Sequence, residues 1–247
     1  MENCFLNISR GPDWVYVIDA RIFESGMKKL FFTGLVLFLL RYASAQEVIV
    51  MTGLSIHSHN KLKSAQANFD FGVDLKSTQS FPPSLQYGLA MRFPMLQSKA
   101  TLGGLFYTTS TAARSTYEDY SLRLDVDQRL RCFGFAFTFL YTLNETGKSK
   151  VNLYTSAGFE ISTLKTDINL RLNDTSEDVS NTYRAFSPMV EAGLEYQYHW
   201  SKKFFVQGIL ALHVSQEAIL NSTTDEPEYE NVNWTGGKVL IGIGRKF

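Results

Sequence analysis

VLIGIGRKF, residues 239–247, closes the chain on a strand pattern whose last residue is aromatic. Val239, Ile241, Ile243 and Phe247 share one side of a period-2 alternation, and Leu240, Gly242, Gly244 and Lys246 share the other. Alternate side chains of a strand point to opposite faces, so the first side is apolar nearly throughout. The end of a soluble domain is usually frayed and polar. This apolar face must meet either a protein core or lipid, and that choice decides the fold.

The same alternation recurs upstream. Phe69, Phe71, Val73 and Leu75 alternate with Asn68, Asp70, Gly72 and Asp74. Leu85, Tyr87, Leu89, Met91 and Phe93 alternate with Gln86, Gly88, Ala90 and Arg92. CFGFAFTFLYTL (132–143) puts Phe133, Phe135, Phe137, Phe139, Tyr141 and Leu143 on one face, opposite Gly134, Ala136, Thr138 and Thr142. Val190, Ala192, Leu194, Tyr196 and Tyr198 oppose Glu191, Gly193, Glu195 and Gln197. No long 3.6-period segment follows Gln46, and 14% aromatic residues, with 19 Phe and 12 Tyr, favour strands.

Two features favour a membrane barrel over a secreted soluble β-sandwich. Charges at Asp70, Asp74, Arg92, Glu160, Glu191 and Glu195 lie opposite the apolar faces, where a barrel would have its lumen. Connections near 94–99, 144–150 and 200–203 are short, whereas those near 166–183 and 216–235 are long and polar. Short turns at one end and long loops at the other are the habit of transmembrane barrels. The twelve residues 132–143 are enough to cross a bilayer as a tilted strand, since about 9–11 suffice. Aromatic girdles are expected at Phe93, Tyr196, Tyr198, Trp200, Phe204 and Phe247 near the short turns, and at Tyr117, Tyr120, Tyr183 and Trp234 near the long loops.

The expected fold is all-β, a transmembrane antiparallel up-and-down β-barrel of eight strands. These are 65–76, 84–93, 100–112, about 120–143, 151–165, 184–199, 203–216 and 236–247. One irregularity stands out. Leu122, Leu124 and Val126 occupy even positions, whereas the Phe row occupies odd ones. Either a bulge near Gln128–Arg131 carries the strand onward, or a tight turn there makes VIVMTGLSI (48–56) an extra strand and the count ten. The eight-strand count keeps the short turns together at one end, with both termini on the periplasmic side.

The N-terminal region sets the compartment. MKKLFFTGLVLFLLRYASAQ (27–46) combines Lys28 and Lys29, an apolar run from Leu30 to Leu40, and Ala43-Ser44-Ala45 before Gln46. This is the pattern of a secretory signal peptide cleaved between Ala45 and Gln46. As a helix the apolar run reaches about 16 Å, short of the ~30 Å hydrocarbon core, so it is no membrane anchor. The domain reading follows. Residues 1–26 are an over-extended start, 27–45 the signal peptide, 46–64 an N-terminal segment and 65–247 the barrel. The expected location is the outer membrane of a Gram-negative cell.

Charge and cysteine content narrow the partners. With 24 Lys+Arg against 24 Asp+Glu, no net field draws nucleic acid. Cys4 and Cys132 are too few for a disulfide framework, and Cys132 alone follows the cleavage site.

MKKLFF…ASAQ, the hairpin LQYGLAMRFPMLQSKATLGGLFYTT (85–109), the strand VNLYTSAGFEI (151–161) and the terminal GIGRKF together resemble a known family. It comprises the outer-membrane β-barrel domain proteins of Bacteroidetes, often labelled PorT-like, and the likeness covers most of Gln46–Phe247. It implies an eight-stranded barrel of mostly unassigned function.

An eight-stranded barrel is just wide enough for side chains to fill it. Inward Asp70, Asp74, Glu160, Glu191 and Glu195 are expected to pair with Arg92 and Lys238, giving a plugged interior rather than a pore. The most enzyme-like group is His213, Ser215 and Glu217, which resembles the His-x-Ser of the lipid A deacylases, also eight-stranded outer-membrane barrels. Its face also holds Gln207 and looks into the lumen, whereas a lipid-processing site must face lipid. His57 and His59 could share one strand face and hold a metal, but two ligands alone do not make a metal site, and a solvated terminal segment is the expected setting. Loop 216–235 carries Glu217, Asp225, Glu226, Glu228 and Glu230, read as a solvated acidic loop. There is no Walker loop, zinc spacing or nucleotide fingerprint, so neither cofactor nor metal is expected.

The functional expectation is therefore a non-enzymatic barrel with a structural, binding or adhesion role. A lipid-modifying barrel enzyme and a soluble sandwich are the alternatives. Expected partners are outer-membrane lipid with lipopolysaccharide, and the barrel-assembly machinery, which would read Val239, Ile241, Ile243 and Phe247 as an insertion signal.

Overall fold

The structure, a computed structural model, describes residues 47–67, 76–95, 98–172, 175–222 and 231–247. The signal segment with Ala45 and Gln46, residues 1–26, and the expected lumen residues Asp70 and Asp74 lie outside the described residues. In chain order the elements are β1 (Glu47–His57), α1 (Asn60–Ala67), β2 (Lys76–Ser80), β3 (Ser84–Pro94), β4 (Ala100–Glu118) and β5 (Leu122–Thr146). They continue as β6 (Ser149–Leu172), β7 (Thr175–His199), β8 (Phe204–Ser215), β9 (Ala218–Ile219), β10 (Asn221–Ser222), β11 (Asn231–Val232) and β12 (Gly236–Lys246).

Each of β3 to β7 pairs antiparallel with its successor, β8 pairs with β12, β12 with β1, and β1 with β3. The ring closes on eight strands. Closure leaves no unpaired edge in the wall, as a barrel that crosses lipid requires. Among the described residues no helix is long and apolar enough to cross a membrane. The eight-strand count and the antiparallel barrel class hold; the ten-strand alternative does not.

The first strand, however, is not the expected one. Glu47–His57 forms it, within the segment read as lying outside the barrel, pairing with Lys246–Gly236 on one side and with Arg92–Ser84 on the other. Of the expected strand 65–76, residues 65–67 end α1, 76 opens β2, and 68–75 lie outside the described residues. The alternation Val48, Val50, Leu54, Ile56 outward and Ile49, Met51, Ser55 inward closes the wall with Gly53 set closely against β12.

A second correction concerns residues 166–183. They are not a long loop. β6 and β7 run through them as one ladder, Thr166 facing Asn181 and Leu172 facing Thr175. β5, β6 and β7 have 25, 24 and 25 residues, about 80 Å of strand at ~3.3 Å per residue. β1, β3 and β12 have 11 residues and β8 has 12, a membrane's worth. The long strands therefore carry a sheet of β4 to β7 far beyond the end of the barrel opposite Glu47 and Phe247. Short periplasmic turns join the strands at the other end. One is Thr146–Ser149, where Gly147 at φ 56° supplies the positive φ that a two-residue hairpin loop needs.

The change of phase near Gln128–Arg131 has a different cause from either expectation. The β4–β5 and β5–β6 registers run unbroken through it; the one β5–β6 irregularity lies at Thr142/Asn144. Even positions face inward from Leu124 to Thr142, and odd positions outward. What switches is the environment. Below Cys132 the outward residues are Phe133, Phe137, Phe139, Tyr141 and Leu143; above it they are Arg123, Asp125, Asp127, Arg129 and Arg131. Most inward residues reverse in step, from Thr138 and Thr142 to Leu124, Val126 and Leu130, with Leu140 and Gln128 as the exceptions. β6 behaves likewise, with Val151 to Ile161 outward and apolar, then Lys165, Asp167 and Asn169 outward and polar. On β7 the apolar outward run is Phe186 to Tyr198. These apolar runs match the length of strand that crosses a bilayer.

At the short-turn end Tyr196, Tyr198, Trp200, Phe204 and Phe247 are exposed, where an interfacial girdle would stand. The expected girdle at the other end is not there. Tyr183 and Trp234 are buried inside and only Tyr120 is fully exposed, at the tip of the β4–β5 hairpin. Trp234 belongs to the packing of the mouth. One buried cluster joins Leu62 of α1, Phe81, Leu220, Val232 and Trp234 to Ala113, Leu130, Leu164 and Tyr183 on the inner face of the tall sheet. The long connections thus fold back into the mouth and are apolar where they enter it.

Candidate functional site

The lumen is the chemically richest place in the molecule. Nearest the periplasmic end, Arg92 of β3 donates from Nη1 to Glu195 Oε1 on β7 at 2.9 Å, and its Nη2 donates to Glu195 Oε2. Arg92 Nη1 also reaches Gln207 Oε1 of β8 at 3.1 Å, and Asn152 of β6 donates to Glu195 at 2.9 Å. Arg92 and Glu195 are fully buried. Their forked pairing is the geometry in which a guanidinium best repays a carboxylate's lost hydration.

One turn of the wall higher sits a second group around Glu191 of β7. Lys238 of β12 bonds Glu191 Oε1, as does His213 Nδ1 of β8 at 2.9 Å. Tyr154 and Ser156 of β6 donate to Glu191 Oε2 at 2.7 and 2.9 Å. His213 Nε2 lies 3.1 Å from Glu160 Oε1, which also accepts from Tyr107 Oη of β4 at 2.5 Å. The Lys238 ammonium stands 4.8 Å above the Tyr107 ring. Five strands are tied together by these contacts. Tyr107 can lie flat across the lumen because the wall opposite it is Gly134, where any Cβ would overlap the ring.

Arg92, Glu160, Glu191 and Glu195 therefore point into the lumen, each with a partner. Glu47, buried near Arg92, and the neutral donors Tyr107, Tyr154, Asn152 and Gln207 complete the arrangement. Sequence reading placed Gln207 on the lumen face but missed the others, because it followed charges on the strands it had counted. The inward parity of β6, carrying Asn152, Tyr154, Ser156 and Glu160, was the available signal.

The mouth is closed by aromatic packing. Trp234 is fully buried; its Nε1–H donates to Ser162 Oγ at 2.7 Å and its backbone N–H to Ser215 Oγ at 2.8 Å. His57 Nδ1 bonds the Trp234 carbonyl. The His57 and His59 rings stand edge-on to the indole, at centroid distances of 4.9 and 4.6 Å. His213 lies 5.8 Å from His57. His59 (φ 40°) and Phe81 (φ 38°) are the non-glycine residues with positive φ among those described, and their rings are 5.9 Å apart. Strain of this kind persists only where packing holds it. Burial, with His57 next to it, lowers the His59 pKa from 6.5 to about 3.

The three weak catalytic candidates are not assembled. His213 is engaged by Glu191 and Glu160, and Ser215 Oγ accepts from Trp234. Glu217 lies outside, 2.6 Å from Lys61, whose hydrogen bond keeps its carboxyl below the usual range. His57 and His59 are packing residues rather than a solvated terminal segment, and no group of three metal-ligating side chains occurs among the described residues. Asp225, Glu226, Glu228 and Glu230 of the acidic loop lie outside the described residues. Val239, Ile241, Ile243 and Phe247 face outward, with Arg245 stacked 4.7 Å from the Phe247 ring.

An outward apolar belt, a closed ring of hydrogen bonds and a polar, filled lumen define an eight-stranded transmembrane β-barrel of the outer-membrane type. No family model and no curated protein matches the chain. Solved structures similar to it include a major outer-membrane protein of Thermus thermophilus, at 9% identity and TM-score 0.46, covering 81% of this chain and 99% of that one. The attachment invasion locus protein Ail of Yersinia pestis is 17% identical, TM-score 0.34, covering 82% and 99%. The N-terminal β-barrel domain of Pseudomonas aeruginosa OprF is 13% identical, TM-score 0.31, covering 82% and 98%. No residue role or ligand passes from them to this chain.

Proposed function

We propose that this chain is a non-enzymatic, non-conducting outer-membrane barrel of the PorT-like kind, which holds a tall polar sheet outside the cell for binding or adhesion. The carrying observation is the lumen, occupied from Arg92 through Glu191 and His213 to Trp234 by side chains bonded to one another. An open water path would require breaking buried ion pairs. Strands more than twice the membrane-spanning length are costly to order, and their exposed outer face is what a binding role would use. A lipid-hydrolysing role is disfavoured because Ser215 faces the lumen and is bonded to the Trp234 backbone.

The chain would be exported by its signal segment and delivered to the barrel-assembly machinery, with Phe247 in the recognised strand; outer-membrane levels unchanged by its deletion would remove that part. The main test is planar-bilayer recording on the full chain folded in detergent and running faster unboiled on a gel. The expected trace shows no single-channel steps. Regular openings of porin size would overturn the reading.

A further inference from the structure

Directly beyond the last apolar row of the tall sheet lies a row without a carboxylate. The apolar row is Phe133–Ile161–Phe186, paired across β5, β6 and β7. The next outward row is Arg131–Thr163–Arg184, flanked by Ser110 of β4 and Asn221 of β10. The row after that holds Arg129 and Lys165, side by side on β5 and β6. Asp127 and Asp167 enter only one row further out, where Asp127 meets Arg114 at 2.7 Å and Asp167 meets Lys165 at 2.7 Å. Arg129, Arg131 and Arg184 are exposed and outward, and among the described residues no carboxylate pairs with Arg131 or Arg184.

We propose that Arg131 and Arg184, with Thr163 between them, bind the phosphate of a phosphorylated glycolipid of the outer leaflet, the lipid A of lipopolysaccharide. This deepens the reading of the chain as an outer-membrane binding barrel and rests on it. Three observations fix the occupant as lipid. The row borders the apolar belt, so a ligand held there has its tail alongside Phe133, Ile161 and Phe186, which are each about half exposed. Phe159 and Phe186 stack at 5.5 Å, which gives acyl chains a continuous aromatic ridge. The row lies on the side opposite Glu47, Phe247 and the short turns, which for a bacterial barrel is the extracellular leaflet.

The chemistry selects phosphate. Two guanidiniums two strand spacings apart, about 10 Å, can converge on one headgroup from either side, each offering forked donors that match phosphate oxygens. Thr163 adds a hydroxyl donor at the centre. Above this row Lys165 is engaged with Asp167, whose carboxylate also feels Arg129. A zwitterionic headgroup would bring a positive charge into the same row and lose much of the attraction.

The test uses the full-length chain folded in detergent, its fold verified by faster mobility unboiled, and titrated with micelles doped with lipid A. Phosphorylated lipid A is expected to raise the temperature at which the fast-running band is lost. Dephosphorylated lipid A and phosphatidylglycerol are expected to do so at least tenfold less effectively. The pair R131S/R184S should need roughly tenfold more lipid A, and the charge-preserving pair R131K/R184K should fall between it and wild type, because an ammonium keeps the charge and loses the fork. Equal response to dephosphorylated lipid A, equal response to phosphatidylglycerol, or a serine pair that responds like wild type would each overturn the proposal. A chain that is heat-modifiable yet shows no phosphate preference sinks this inference alone. A chain that never becomes heat-modifiable sinks the barrel reading and takes the inference with it.

Discussion

β5 crosses two environments, and the same alternation serves both with opposite meaning. From Phe133 to Leu143 the outward side chains are apolar and the lumen side, Leu140 apart, is small or polar; from Arg123 to Arg131 the outward side chains are charged and the inner side is Leu124, Val126 and Leu130 with one polar member, Gln128. In the lower region the solvent outside is lipid, and polar atoms gain by turning inward to find one another. In the upper region the solvent outside is water, and ordinary burial applies. The point of reversal, between Arg131 and Phe133, marks where the lipid ends more sharply than any girdle of aromatics.

The comparison is broken most severely at Glu191. Removing its carboxylate leaves Lys238 buried without its partner and His213 with Glu160 alone, and loss of one member of a buried pair costs about 3–5 kcal/mol. The matching change in the upper region, Asp127→Ala, breaks a solvated pair with the half-exposed Arg114 and should cost about 1 kcal/mol or less. Urea unfolding of the detergent-folded chain measures both. Equal costs would mean that the lumen is wet and screened. Replacing Lys238 and Glu191 together with Met and Leu should recover much of the loss.

Next in size is Leu164→Ala. This fully buried side chain belongs to the inner face of the upper sheet, where a truncated leucine costs about 2–5 kcal/mol. Its effect should stay local. Amide exchange should quicken at 123–131 and 164–170 while the belt strands β8 and β12 remain protected. If exchange rises uniformly, the two regions are one cooperative unit and the contrast between them is only compositional.

These cases show why some of the structure was legible in sequence and some was not. Period-2 patterning identified seven of the eight wall strands and the inward placement of Arg92, Glu160, Glu191 and Glu195. It failed where its premise of one environment failed. At Leu122–Val126 an inverted hydrophobic side looked like a register slip, and at 166–183 a ladder with Asp167 and Asn169 outward looked like a loop. VIVMTGLSI reads as a strand in itself, but its place in the ring depends on pairing β12 across nearly the whole chain, which no local pattern encodes. The burial of Trp234 was hidden for a related reason. A single tryptophan in a polar loop reads as an interfacial anchor until the two imidazoles and two serines around it are brought together by the fold.

A smaller effect should come from pH, and it should fall on the mouth alone. His59 is held neutral, its pKa lowered from 6.5 to about 3 by burial against Trp234 and beside His57. An opened mouth takes up a proton near pH 6.5, and the closed one does not until about pH 3. Closure is therefore fully favoured above about 6.5 and weakens as the pH falls from there towards 3. Exchange of the α1 amides, corrected for its intrinsic pH dependence, should rise over that window. His59→Phe should reduce the response, and what remains belongs to His57, buried against the same indole. A response of the same size in the variant would assign it to another group.

The change at Ser215 should be small beside those at Glu191 and Leu164. Its hydroxyl accepts the Trp234 N–H at 2.8 Å inside the mouth, so Ser215→Ala leaves one buried donor unmatched, at a cost of about 1–3 kcal/mol. Thr235 limits the damage, because its Oγ1 already bonds both the Ser215 N–H and the Ser215 carbonyl at 3.2 Å and keeps the two segments aligned. The loss should thus sit at the low end and appear as a modest drop in the temperature at which the fast-running band disappears, with the lower barrel unaffected. The variant also separates two accounts of the strand. If Ser215 only braces the mouth, any ester-hydrolysing activity of the preparation towards lipid A is the same with and without the hydroxyl. If it is a nucleophile, that activity vanishes while the fold survives, because a nucleophile's loss is chemical and leaves the wall intact.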